Sequence, residues 1–132
     1  MSEEPPIDKI ADFLSSQEDI VVGIAFGSLA VGQARPHSDV DIAVLGLTPL
    51  SADRKAELIR ALAAVTGRPV DLIDLRTAGV AARRAAIRGG RRLVCKDRRA
   101  YDALVSKMMT DAEDFLPYRE RMLRERLTAW TR

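Results

Sequence analysis

The 132-residue chain reads as one α/β (α+β) domain, a small mixed β-sheet flanked by helices. Three observations predict that class. Short β-branched runs end in glycine or turn residues, other stretches carry apolar residues at helical spacing, and the two kinds alternate along the chain.

Pro5 and Pro6 open a segment with Ile7, Ile10, Ala11 and Leu14 at helical spacing, which predicts a helix over 6–16. "DIVVGIAFG" is a compact β-branched run and reads as a buried strand. Gly32, Pro36 and Ser38 make the next piece a loop, after a helical turn at Ser28 to Val31. "DVDIAVLG" sets Asp39, Asp41 and Ala43 on one face and Val40, Ile42 and Val44 on the other, a second strand. Pro49 and Ser51 start a helix whose stripe is Leu58, Ala61, Leu62 and Val65, and Gly67 stops it. "PVDLIDL" is a third strand. Thr77 is expected to cap a helix with Val80, Ala81 and Ile87 inward, broken at Gly89-Gly90, and "RLVC" to form a short fourth strand. Tyr101, Leu104, Val105, Met108, Ala112 and Phe115 mark a longer helix. Pro117 interrupts or kinks it, and Leu116, Leu123, Leu127 and Trp130 continue a stripe beyond. The single domain over 1–132 is therefore expected to carry a C-terminal helical segment over about 98–130.

Hydrophobic residues make up 47% of the chain and charged residues 30%, an ordinary globular mix. The net charge of +2 writes no long-range attraction to nucleic acid into the total, and no direct nucleic-acid binding is expected. Its distribution is uneven. Six acids (Glu3, Glu4, Asp8, Asp12, Glu18, Asp19) face Lys9 in the first twenty residues, whereas Arg83 to Arg99 holds eight basic residues and one acid, Asp97. The second half thus suits either an anionic partner or a solvated basic surface. A lone Cys95 forms no internal disulfide and, within "LVC", is expected to be a buried thiol. "MSEEPP" is unlike a signal peptide, and the apolar run from Ile20 to Gly32 is short of the roughly 20 residues a membrane span needs. A reducing cytoplasm is the expected compartment.

The chemistry lies in "FGSLAVGQARPHSDVDIAV", residues 26–44. Strand alternation aims Asp39 and Asp41 the same way, with Cα atoms about 6.5–7 Å apart. Two like charges buried without a counterion are costly, and no cation flanks the pair within the strand. Divalent cations open to solvent, as in two-metal sites, answer that need. Gly27 at the strand end allows close approach of a bulky ligand, and Ser28 adds a hydroxyl donor, a cradle suited to the terminal phosphates of a nucleotide. A third carboxylate from a neighbouring strand would complete the site. "VDLIDL" offers Asp71 and Asp74, three apart and on opposite faces, so only one can join; the spacing does not choose. His37, the lone histidine, reads as an exposed loop residue.

Gly-Ser, ten residues, Asp-x-Asp and a later aspartate-bearing strand resemble the nucleotidyltransferase superfamily of the DNA polymerase β type. The order "FGSLAVGQARPHSDVDIAVL … GRPVDLIDL … RRLVCKD" is similar to its minimal nucleotidyltransferase (MNT) family across essentially the whole chain. The resemblance implies a polymerase β-like fold, with Gly27 and Ser28 on the triphosphate, magnesium on Asp39 and Asp41, and Asp71 as third acid. It also implies an antitoxin, one component of a hetero-oligomer with a HEPN-domain ribonuclease toxin. Such proteins transfer AMP from ATP to a tyrosine of the toxin and so inactivate it. One position departs: many members read Gly-Ser-x-Ala-Arg-Gly, and Val31 stands where the arginine would be. An antitoxin that works by contact alone is the alternative; small-molecule acceptors would call for an extra helical domain that this chain has little room for.

Overall fold

The computed structural model describes residues 7–27 and 39–114, with side chains as far as residue 110. In chain order the elements are α1 (Ile7–Ser16), β1 (Ile20–Phe26), β2 (Val40–Gly46), α2 (Ala52–Thr66), β3 (Val70–Asp74), α3 (Val80–Gly89), β4 (Arg91–Cys95) and α4 (Arg98–Asp114). The strands form a four-stranded mixed sheet in the order β3-β2-β1-β4. β1 pairs antiparallel with β2 and β4, while β2 and β3 run parallel with α2 as their crossover.

Side-chain parity sorts the sheet into two faces. On one, Val40, Ile42, Val44 and Leu72 meet Ile10 and Leu14 of α1 and Leu58 and Leu62 of α2. On the other, Ala43, Leu45, Val22 and Ile24 meet Ala86 of α3 and Leu104 of α4. β1 shifts register between Ile20 and Val22, which lets Val21 and Val22 both join the α3/α4 core.

The expected α2 forms as read. Ser51 accepts the Arg54 N–H at 3.1 Å, and Gly67, at φ 69°, donates its own N–H to the Ala63 carbonyl. Leu58 and Leu62 are fully buried. Arg54 also reaches back to the α1–β1 turn, with Nε and Nη2 on the two Asp19 oxygens at 2.8 and 2.7 Å and Nη2 on Gln17 Oε1 at 2.9 Å. This fork ties the start of α2 to the entry of β1.

α3 differs from expectation in two ways. Thr77 does not cap it: its N–H donates to the Asp74 carbonyl within the turn, and the cap position is Gly79. Nor do Val80 and Ala81 point inward, since Val80 is 45% exposed and the buried positions are Arg83 and Ala86. Ile87 packs against the core as expected. Asp97, the one acid in the basic run, caps α4 by accepting the N–H groups of Arg99 and Ala100 at 3.0 and 3.2 Å. Leu104 and Met108 are buried in α4. Cys95 is only half-buried, less enclosed than expected. The helical turn expected at Ser28 to Val31, Pro5, Pro6, Phe115, Pro117 and the stripe to Trp130 lie outside the described residues, as does the Ala112 side chain.

The Arg54–Asp19 fork sets a pH-dependent prediction. The Arg54 hydrogen bond holds the Asp19 carboxyl below its ordinary value of 3.8. A folded-state value below the unfolded one means the contribution is present above about pH 4 and fades as pH falls through the folded value. The pair is partly exposed, so Arg54→Met should cost about 0.5–1 kcal/mol at pH 7. Denaturant melts at pH 7 and pH 2.5 should show a larger cost at the first than at the second.

Candidate active site

The parallel register sets Asp41 directly against Asp71, and the antiparallel register sets Phe26 against Asp41. Three strands therefore bring Gly27, Asp41 and Asp71 to one end of the sheet. Alternation from Ala43 and Leu45, and from Ile73, turns both acids to the α3/α4 face. Asp39 lies one residue before β2, exposed, with Asp41 half-buried and Asp71 exposed.

Burial raises the Asp41 carboxyl above its ordinary value of 3.8, and the negative charges of Asp71 and Asp39 raise it further. Both neighbouring acids therefore act on one carboxylate. Gly27 adopts φ +68°, a conformation that favours glycine, and a Cβ there would run into the Asp41 carboxylate. The backbone at the end of β1 is thus pressed against the acid.

Asp74 lies on the other face. It is 6% exposed and accepts the Leu50 N–H on one oxygen and the Arg76 N–H on the other, both at 2.9 Å. Its carboxylate is occupied in holding the start of α2 and the β3–α3 turn. Of the two candidates for a third acid, Asp71 is the one beside Asp41.

Among the described residues no three His, Cys, Asp or Glu side chains gather into a ready-made metal cage. Magnesium does not require one, because it is commonly held by one or two carboxylates with waters and substrate phosphates supplying the rest. An oxygen-only pair in register, mutually repelling and open to solvent, fits that ion. Ser28, Val31, Arg35 and His37 lie outside the described residues.

The basic run is divided by the fold. Arg83 turns inward, Arg92 stands 4.8 Å over the Tyr101 ring, and Arg98 pairs with Asp102. The role of Asp97 as the α4 cap and the inward turn of Arg83 were not read from sequence; the acid immediately before α4 was the available signal for the cap.

The site is thus two acids in register on a four-stranded mixed sheet, beside a left-handed glycine. The sequence profile described as "Polymerase beta, Nucleotidyltransferase" matches residues 8–99, and the chain belongs to that family. It is 37% identical over 68 residues to the protein adenylyltransferase MntA of Shewanella oneidensis, a match covering 52% of this chain. That match spans about half the length of the curated relative, 49%. Two solved structures share the fold. One is described as a toxin-antitoxin with AMP-PNP, at TM-score 0.77 and 24% identity, covering 92% of this chain and 98% of that one. The other is a tri-AMPylated Shewanella oneidensis HEPN toxin in complex with MNT antitoxin, at TM-score 0.71 and 23% identity, covering 92% and 95%. No helix among the described residues is long and apolar enough to cross a membrane.

Removing one of the repelling charges should relieve the fold. Asp41→Asn is expected to raise the melting temperature at pH 7 in chelator-treated buffer, read by calorimetry, while Gly27→Ala lowers it. A fall on Asp41→Asn would mean that an unrecognised cation already neutralises that carboxylate.

Proposed function

We propose that the chain is a magnesium-dependent protein adenylyltransferase, an antitoxin that moves AMP from ATP to a hydroxyl, most simply a tyrosine, of a cognate HEPN ribonuclease toxin. The observation that carries this reading is the Asp41–Asp71 register beside Gly27. The family membership supports the reaction class, and the descriptions of the relatives (a protein adenylyltransferase, a toxin-antitoxin with AMP-PNP, an AMPylated HEPN toxin) support ATP and the acceptor. The reading includes a single domain, a hetero-oligomer with the toxin, and a cytoplasmic setting.

In this account the residues divide the work. Asp39 and Asp41 would hold magnesium, with Asp71 as third ligand. When bound, the ion supplies charge neutralisation on the phosphates and lowers the pKa of the attacking hydroxyl. The tight turn at Gly27 lets backbone approach the phosphates, and Ser28 would donate its hydroxyl to them. Asp71, exposed and beside Asp41, can take the proton of the incoming hydroxyl. The hydroxyl oxygen forms a bond to the α-phosphorus as the bond to pyrophosphate breaks in line, and pyrophosphate leaves. Positioning and electrostatics do most of the work.

Incubated with ATP, Mg²⁺ and a candidate HEPN-domain partner, the chain should add AMP to that partner, read by intact mass. Asp41→Asn and Asp71→Asn should each lower the rate about 100-fold or more. Asp74→Asn should leave the rate per folded molecule near wild type while costing about 1–3 kcal/mol of stability. If wild type and Asp41→Asn both leave the partner unmodified yet both silence it, the chain acts by contact, an outcome that Val31 in place of the family arginine favours.

A further inference from the structure

The α3/α4 face carries a second site at its far end. There α3, α4 and the ends of β2 and β3 enclose a groove of about 240 Å³. Its apolar lining includes Leu45, Leu75 and Leu104, and its charged lining is Arg76, Arg83 and Lys107. Arg83 is only 6% exposed, and its Nε donates to the Leu75 carbonyl at 3.2 Å. Among the described residues no carboxylate pairs with its guanidinium, nor with Arg76 or Lys107. Arg76 commits its Nε to the Gly46 carbonyl at 2.7 Å.

A guanidinium largely withdrawn from water, with no carboxylate beside it among the described residues, is short of a counter-charge, and its planar fork matches an oxyanion. Leucine and alanine side chains around it suit an apolar stem. The volume falls below the roughly 300–1,000 Å³ of drug-sized pockets, which is too small for a nucleotide. Leu45 stands four residue steps along β2 from Asp41, so the near wall of the groove lies about 13 Å from the acids along the sheet. We propose that this groove is a second binding site, taking a single carboxylate or phosphate group on a short apolar stem, with Arg83 as its central donor and Arg76 and Lys107 at its rim. It stands whether or not the adenylyl transfer above is correct.

The test follows the Arg83 Nε–Hε signal by NMR in the ¹⁵N-labelled full chain, assigned through Arg83→Lys. Sodium hexanoate, sodium acetate, hexyl phosphate and a capped Leu-Glu-Leu peptide are titrated at ionic strength matched with sodium chloride. Hexanoate or hexyl phosphate should shift the signal saturably, about tenfold more tightly than acetate because the stem is buried. Arg76→Gln and Lys107→Gln should each weaken binding about threefold or more. Tighter binding of the peptide assigns the group to an acidic side chain of a protein, and tighter binding of the free anions assigns it to a small molecule. A response no different from sodium chloride, or unchanged affinity in the Arg76→Gln/Lys107→Gln double variant, overturns the site. Should Arg83→Lys fail to fold, the two rim variants decide alone, since they retain Arg83.

Discussion

The parallel pairing of β2 with β3 is the constraint on which the site depends, because it sets Asp41 against Asp71. Like charges directly opposite each other oppose strand pairing. The register is nevertheless held at both ends. At the start of the pairing the Val40 N–H donates to the Pro69 carbonyl, and past β3 the Leu75 N–H donates to the Val44 carbonyl, each at 2.9 Å. Asp74 adds the Leu50 N–H, which links the end of β3 to the entry of the crossover helix. Two aspartates in "VDLID" therefore do opposite work. One is buried and fully hydrogen-bonded, where it fixes the frame, and the other is exposed on the opposite face, where it adds a charge the frame must tolerate.

Hairpin register explains why the glycine belongs to the same site. Phe26 pairs with Asp41, so the residue after Phe26 arrives beside that carboxylate whatever the connecting residues do. The closeness of Gly27 and Asp41 in space is thus a consequence of strand pairing. A side chain at Gly27 would press on the acid, and a backbone without one leaves that space open.

Much of this was legible in the sequence, and the reasons differ by element. α2 carries its own start and stop in Ser51 and Gly67 and a stripe with one reading, so local chemistry and packing agree. The parity argument correctly placed Asp71 and Asp74 on opposite faces, yet choosing between them required knowing which face α3 and α4 cover, a property of the whole sheet. α3 resisted for a local reason. "VAARRAAIRG" has small apolar residues nearly all round, so two inward faces are equally plausible from its periodicity. The turn settled it: Thr77 and Ala78 donate to the Asp74 carbonyl, which fixes where the helix begins and rotates Arg83 inward. A long aliphatic stem makes that burial tolerable, whereas the sequence alone reads the same arginine as part of a run facing either an anionic partner or solvent.

A net charge of +2 conceals a sheet face with acids at one end and cations at the other. The separation decides whether the two ends neutralise each other. Unit charges about 13 Å apart interact by about 1.3 kcal/mol at an effective dielectric of 20 and about 0.3 kcal/mol in bulk water. Physiological salt, with a screening length of about 8 Å, reduces this further. Asp41 accordingly feels burial and its two acidic neighbours. Among the described residues each end keeps its own unmet charge. The acid end is open to a hard cation arriving with phosphates, the basic end is open to an oxyanion, and neither requirement can be met by the other.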